Sequence, residues 1–135
     1  DDELRAKIAP PPAAIVAGHT HLSLIKRIDN TLVVNAGSVG LPFDGDRRAA
    51  YARLTLNGGW QAEIVRLEYD YDRADRDFEV TGFLTEAGPL AELVRDEFRR
   101  ARSNLFEWSV RFQADVMAGA ITMEETVRRF WQERR

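Results

Sequence analysis

Two histidines follow an apolar run and could bind a metal. His19 and His21 are the only histidines in the 135 residues, and they come after Gly18 at the end of the run Ala13-Ala14-Ile15-Val16-Ala17. In extended backbone, side chains two positions apart leave the same face roughly 6.6 Å apart. Two such imidazoles can converge on a pair of metal ions about 3.5 to 4 Å apart. A bare His-x-His is more often a solvated loop or a local hydrogen-bonding pair.

The residues after the histidines predict a hairpin and a second loop. Residues 22–28 and 31–40 are rich in β-formers and flank the polar turn Asp29-Asn30, a pattern typical of a β-hairpin. The second run ends in Asn35-Ala36-Gly37-Ser38-Val39-Gly40. Its two glycines allow positive φ and close approach of the backbone to a bulky or charged group. This loop is therefore a second candidate for the site.

The order of these features resembles the end of a calcineurin-like metallophosphoesterase domain, and in particular its small prokaryotic branch. The sequence GHTH is followed by the hairpin, the loop of residues 35–40 and the turn Asp44-Gly45-Asp46, so the resemblance covers about residues 15–71. It implies an α/β fold, seen here as α+β. Residues 1–71 would form the C-terminal half of a four-layer αββα sandwich, and helices would follow.

Members of that family build their site from an Asp-x-His, a Gly-Asp, a Gly-Asn-His and a further histidine, and finish on Gly-His-x-His. Of these motifs, only the final Gly-His-x-His occurs here at its family position. A Gly-Asp is present at residues 45–46, but it lies after the histidines, so Asp46 does not match the bridging aspartate. The resemblance implies that His19 and His21 ligate one metal each and that no catalytic group is supplied by these residues. It implies two divalent transition metals, manganese foremost, with iron, zinc and nickel as alternatives.

The resemblance also implies roles for the neighbours of the histidines. Gly18 would leave room for the metals, and Thr20 would point away from them. Three residues of the second loop are expected to line the site or to support the histidine loop: Asn35, Gly37 and Ser38.

The activity implied is hydrolysis of a phosphodiester or nucleotide-like phosphate by a metal-bound hydroxide. Because the earlier ligands are absent, we expect the sequence to be the C-terminal part of a longer protein, whose N-terminal half is its partner in the site. The 135 residues alone are predicted to be inactive. The alternative is a binding or scaffolding protein that kept the phosphoesterase fold.

Composition limits the other classes of function. There are no cysteines, so disulfides and thiolate ligands are excluded. The net charge of −3, with mixed signs along the chain, does not predict a broad nucleic-acid surface. No apolar run approaches the roughly 20 residues that span a bilayer, and the cytoplasm is the default location.

Other β elements and loops are predicted around this region. Residues 1–8 are expected to be the remnant of a helix before Pro10-Pro11-Pro12. Residues 41–48 predict an irregular surface loop, whose Arg47 and Arg48 are more typical of solvated side chains than of phosphate ligands. Residues 49–56 and 60–71 predict a second hairpin around Asn57-Gly58-Gly59.

Residues 72–135 predict a helical extension. Asp72 is the expected N-cap of a helix to Val80, an apolar stripe of helical period starts near Thr85, and a further helix covers residues 105–118. Thr122 to Glu125 is a capping box for a last helix to residue 133, with Val127, Phe130 and Trp131 facing inward. The aromatic residues of these helices are interpreted as core or interface, and the helices as a cap over the site or a surface for homo-oligomerisation.

The arginines at 99, 100 and 102 are interpreted as a solvated face with acidic neighbours at 96 and 97.

Overall fold

A computed structural model describes residues 2–134. The chain divides into two compact units, Asp1–Tyr69 and Asp70–Arg135. The first unit carries the strands and the second consists of helices, so the α+β class expected from the sequence is confirmed. Residues 1 and 135, which belong to the two units expected from the sequence, lie outside the described residues.

The first unit opens with a helix and a three-stranded sheet. Helix α1 (Asp2–Lys7) precedes β1 (Ala14–Ala17), β2 (Ser23–Ile28) and β3 (Thr31–Ala36). In the sheet β3 is central, parallel to β1 and antiparallel to β2. The hairpin predicted around Asp29-Asn30 is confirmed, since Ile28 pairs with Thr31 across a two-residue turn.

Strand β3 is the most buried strand of this sheet, because it has a neighbour on each side. Its first five residues are all buried, and Val34 is fully enclosed. The hydroxyl of Thr31 donates to the carbonyl of Pro12 at 2.6 Å, which attaches the start of β3 to the segment before β1. Because β1 and β3 are parallel, with Ala17 opposite Asn35, the loops that follow them begin at the same edge of the sheet.

The second hairpin of this unit consists of β4 (Ala49–Leu56) and β5 (Trp60–Leu67). Its predicted turn at Asn57-Gly58-Gly59 is confirmed, with Gly58 at a φ of 63°. Strand β5 ends at Leu67, four residues before the end expected from the sequence. The amide of Ala50 donates to the carbonyl of Ser38 at 3.0 Å, which joins this hairpin to the loop after β3.

The second unit contains five helices among the described residues. They are α2 (Tyr71–Val80), α3 (Phe83–Glu86), α4 (Ala91–Arg100), α5 (Leu105–Met117) and α6 (Met123–Gln132). The longest, α5, has 13 residues, and no helix within residues 2–134 combines the length and apolarity that crossing a membrane requires.

Two helix starts differ from the sequence expectation. The N-cap of α2 is Asp70 and not Asp72, because the carboxylate of Asp70 accepts a hydrogen bond from the amide of Arg73 at 2.9 Å. The helix expected from about Thr85 is split into α3 and α4. The break falls at Gly88, whose φ is 78°, and the proline after it disfavours helical backbone in the residue before.

The core of the second unit combines the stripe predicted for α4 with several of the aromatic residues interpreted as core or interface. Its buried cluster comprises Leu93, Trp108, Phe112, Val127 and Phe130, and Trp131 is partly buried against it. Phe106, by contrast, is 72% exposed and does not belong to the core. The inward orientation predicted for α6 is confirmed for Val127 and Phe130.

The capping of α5 and α6 is only partly as predicted. Thr122 accepts from the amide of Glu125 at 3.2 Å, whereas the Glu125 carboxylate pairs with Arg129 at 2.9 Å. Helix α5 is capped by Glu97, which the sequence pattern predicts on a solvated face. Glu97 is 1% exposed, and its carboxylate accepts from the backbone amides of Asn104 and Leu105 at 2.6 and 2.7 Å.

The arginines of α4 are paired with acids. Arg100 binds Asp96 at 2.8 Å on an exposed face, as expected. Arg99 and Arg95 both bind Asp75 of α2, at 2.7 and 3.0 Å. These two guanidinium groups hold the pKa of Asp75 well below its ordinary value. The arginines therefore attach α4 to α2.

Candidate metal site

Two loops that follow parallel strands form the candidate site. Gly18 to His21 follow β1, and the long loop of residues 37–48 follows β3. Parallel pairing brings the starts of these loops together, which the hydrophobic pattern of the sequence did not reveal. The site is therefore positioned by the register of β1 on β3.

The backbone at the histidines is turned and not extended. Strand β1 ends at Ala17, and His19 and His21 have φ values of 77° and 59°, in the left-handed region. The amide of Thr20 donates back to the carbonyl of Gly18 at 3.0 Å, which closes the turn. The expectation that the two imidazoles leave one face of an extended strand is therefore wrong. Left-handed backbone is costly for residues other than glycine, and it is concentrated at functional sites.

Asn35 connects the histidine turn to the second loop. Its side-chain amide donates to the carbonyl of Gly18 at 3.1 Å and to the hydroxyl of Thr20 at 2.8 Å, and its side-chain oxygen accepts from the amide of Gly37 at 3.0 Å. Asn35 is 9% exposed. These bonds support the histidine turn, which is one of the two roles expected for Asn35, and they occupy the hydroxyl of Thr20.

His21 is held by the segment Leu41 to Phe43. Its Nδ1 lies 2.7 Å from the carbonyl oxygen of Leu41, and its ring stacks on Phe43 with centroids 4.8 Å apart. The amide of Phe43 also donates to the backbone carbonyl of His21 at 3.0 Å. A carbonyl oxygen only accepts, so Nδ1 carries the proton. In the neutral ring Nε2 then has a free lone pair, as a metal ligand requires.

His19 is exposed, and within residues 2–134 its ring makes no hydrogen bond. Gly18, beside it, is also exposed, and a Cβ at this position would meet no atom within 4 Å. Packing among the described residues therefore does not require a glycine at position 18. The role predicted for Gly18, leaving room for metals, stays a prediction.

The two glycines of the second loop differ. Gly37 has a φ of 81°, and a Cβ here would clash with the hydroxyl of Ser23 and lie 3.3 Å from Ala50. Gly40 has neither a positive φ nor a neighbour that a Cβ would meet. Ser38 accepts from the amide of Leu41 at 3.0 Å. Gly37 and Ser38 therefore shape the loop that contacts His21.

The aspartates of the loop are already paired with arginines. Hydrogen bonds from the side chain and the backbone amide of Arg48 lower the pKa of Asp46 to about 2. Burial opposes ionisation of Asp44, but the hydrogen bond and the charge of Arg66 outweigh it and hold the pKa of Asp44 below its ordinary value. That Asp46 is not the bridging aspartate stays a prediction from the order of the motifs.

The donors present fit part of a metal site. Imidazole nitrogens suit transition metals such as zinc, iron and nickel, and manganese accepts them alongside carboxylates. Within residues 2–134, however, no group of three or more histidine, cysteine, aspartate or glutamate side chains could hold a metal ion. The two histidines can thus supply two ligands, and a complete site needs more.

Sequence reasoning missed the partners of His21. A carbonyl oxygen has no signature in a sequence, so the role of Leu41 could not be predicted. Phe43 gave a weak signal, because it is the one aromatic residue in a loop rich in proline, glycine and charge. Arg66 gave none, since it is one of 17 arginines in the sequence and its neighbours do not distinguish it.

Comparison with known proteins gives one match. Residues 2–59 match the model of the calcineurin-like phosphoesterase superfamily domain. The matched segment lies within the first unit and includes the histidine turn, the loop of residues 37–48 and β4. No curated protein and no solved structure matches the chain.

Proposed function

Because residues 2–59 match the model of the calcineurin-like phosphoesterase superfamily domain, we propose that this chain is part of a metal-dependent phosphoesterase in which His19 and His21 are metal ligands. The family match supports the general part of this proposal, which is hydrolysis of phosphate esters. The roles of His19 and His21 as ligands are proposed from the chemistry of the histidine turn.

The orientation of His21 is the observation that supports this proposal most. Histidines that bind metals usually donate their other ring N–H to a carbonyl or a carboxylate, which fixes the tautomer and the direction of the ring. The 2.7 Å contact between Nδ1 of His21 and the carbonyl of Leu41 has this form. A histidine in a solvated loop would not need both this contact and the stack on Phe43.

The surrounding residues hold the turn in place before any ligand binds. The three hydrogen bonds of the Asn35 side chain tie Gly18, Thr20 and Gly37 together. Such preorganisation lowers the cost of placing His19 and His21, whose backbone is in an unfavourable region.

We propose two divalent cations, manganese foremost, with iron, zinc and nickel as alternatives. When bound, such cations supply Lewis acidity, which neutralises charge on the phosphate and promotes ionisation of water. His19 and His21 would contribute one nitrogen each. The substrate class we propose is a phosphodiester or a nucleotide-like phosphate, and the further ligands and the proton donor must come from groups other than these two imidazoles.

Hydrolysis of bis(p-nitrophenyl) phosphate tests this function. We expect the natural full-length protein to hydrolyse this diester with added Mn²⁺ and to lose the activity in a chelator. The isolated 135 residues are expected to show none under the same conditions, because two imidazoles do not complete a binuclear site. A full-length protein that binds phosphate esters without hydrolysing them would contradict the proposal and favour the scaffolding alternative, and hydrolysis by the isolated chain would show that the site is not divided as proposed.

A further inference from the structure

Arg66 of β5 makes more contacts than any role in strand pairing requires. Its side chain is 15% exposed, and one terminal nitrogen, Nη2, binds both the Asp44 carboxylate and the hydroxyl of Ser23, the latter at 3.0 Å. The other, Nη1, donates to the backbone carbonyls of Asp46 and Arg48, both at 3.3 Å. A single guanidinium thus binds four groups of the first unit.

These groups belong to two segments. One is the segment that contains His21, and the other is the loop that contacts its ring. Ser23 begins β2 and lies two residues after His21. Asp44 directly follows Phe43, on which the His21 ring stacks. Arg66 therefore ties the segment that carries the imidazole to the segment that orients it.

Phe43 itself is attached to the histidine turn by the bond from its amide to the carbonyl of His21, at 3.0 Å, and the loop on either side of it has few other attachments. Leu41 is fixed from its N-terminal side by its bond to Ser38, at 3.0 Å. On the C-terminal side, Asp44 and Asp46 make local turn hydrogen bonds, to the amides of Asp46 and Arg48 at 3.4 and 3.1 Å. These bonds shape the turn but do not attach it to a strand, which is what Arg66 does.

We propose that Arg66 is a positioning residue for His21, which holds Leu41 and Phe43 against the imidazole and so keeps Nδ1 protonated and Nε2 available. Lysine could not replace it, because only the planar fork of a guanidinium reaches several acceptors in fixed directions. The inference concerns the imidazole itself, and it rests on the proposed function only for its consequence in metal binding.

The test is the tautomer of His21 in the chain without metal. A proton–nitrogen correlation spectrum of the two imidazoles, recorded at a pH where both are neutral, distinguishes the Nδ1–H form from the Nε2–H form. In the unmodified chain we expect His21 in the Nδ1–H form, with exposed His19 as an internal reference for an unconstrained ring. In R66Q the Nδ1–H share of His21 should fall to that of His19.

The matched control is R53Q. Arg53 lies on the neighbouring strand of the same hairpin and pairs only with Glu63 among the described residues, with 63% of its side chain exposed. This variant should leave the His21 spectrum unchanged.

If R66Q does not fold, S23A and D44N each remove one bond of the guanidinium and should shift the tautomer in the same direction by less. A His21 signal that stays in the Nδ1–H form in the folded variants overturns the proposal.

A second readout separates this inference from the proposed function. In the natural full-length protein, R66Q should weaken Mn²⁺ binding by about 10-fold, the lower end of the effect of losing an outer-shell partner, because Arg66 acts on the imidazole through Leu41 and Phe43. A shifted tautomer without any binding of Mn²⁺ by the unmodified protein would retain the positioning role and reject the metal site. Unchanged Mn²⁺ affinity in R66Q, with binding in the unmodified protein, would reject the positioning role.

Discussion

Replacing His21 with alanine in the natural full-length protein is expected to lower kcat/KM for bis(p-nitrophenyl) phosphate by more than about 100-fold. The loss of an outer-shell partner of a metal ligand already costs 10- to 100-fold, so losing the ligand itself should cost more. Alanine also removes the contacts of the ring with Leu41 and Phe43, which are two of the contacts between the turn and the second loop. Steady-state kinetics with saturating Mn²⁺ measure the effect.

The control for this variant is Leu22→Ala. Leu22 is adjacent to His21 and 48% exposed, and its backbone amide bond to Thr20 survives the substitution. It should retain activity within a factor of about two, because exposed side chains away from special contacts change stability little. Equal losses in the two variants would mean that activity depends on the shape of the turn and not on the imidazole.

Replacing Phe130 with alanine is expected to destabilise the second unit by about 3 to 5 kcal/mol. Phe130 is fully buried in the core cluster, packs edge to face on Trp131 at 5.6 Å between centroids, and has the guanidinium of Arg134 4.4 Å above its ring. A domain of this size has only about 3 to 10 kcal/mol of stability in total. The variant should therefore lose much or all of its helical structure, measured by denaturant unfolding with far-ultraviolet circular dichroism.

Phe106→Ala is the matched control, because it deletes the same side chain from a neighbouring helix. Phe106 is 72% exposed, so its loss removes little buried area and leaves no cavity. We expect a change within about 0.5 kcal/mol. A similar loss of stability in both variants would show that the aromatic stripe of α5 and α6 is not divided into core and surface as described.

The regular elements could largely be predicted from local patterns. The turn at Asp29-Asn30 and the glycines after Asn57 predicted both hairpins, because turn chemistry determines which strands are adjacent. The stripe of α4, the inward residues of α6 and the helical spacing of the aromatic residues likewise indicated most of the buried cluster, although Phe106 is exposed. The parallel pairing of β1 with β3 was not predicted, since it joins segments that no short turn connects.

The candidate site was predictable in its residue types and not in its geometry. The resemblance identified His19 and His21, but the left-handed backbone at both residues depends on bonds from Asn35 and Phe43 that lie far away in sequence. In the same way, the buried role of Glu97 follows from the amides of α5 that it caps, which the pattern of α4 does not contain. Long-range hydrogen bonds to the backbone are the common reason for these errors.

Metal content measured on the natural full-length protein tests the central claim most directly. The protein, dialysed after loading with Mn²⁺, should retain about two transition-metal ions per protomer, the number in a binuclear hydrolase site. The double variant H19A/H21A, with its fold checked by circular dichroism, should retain markedly less. Equal metal content in the two proteins, or none in the unmodified one, would contradict the assignment of His19 and His21 as metal ligands.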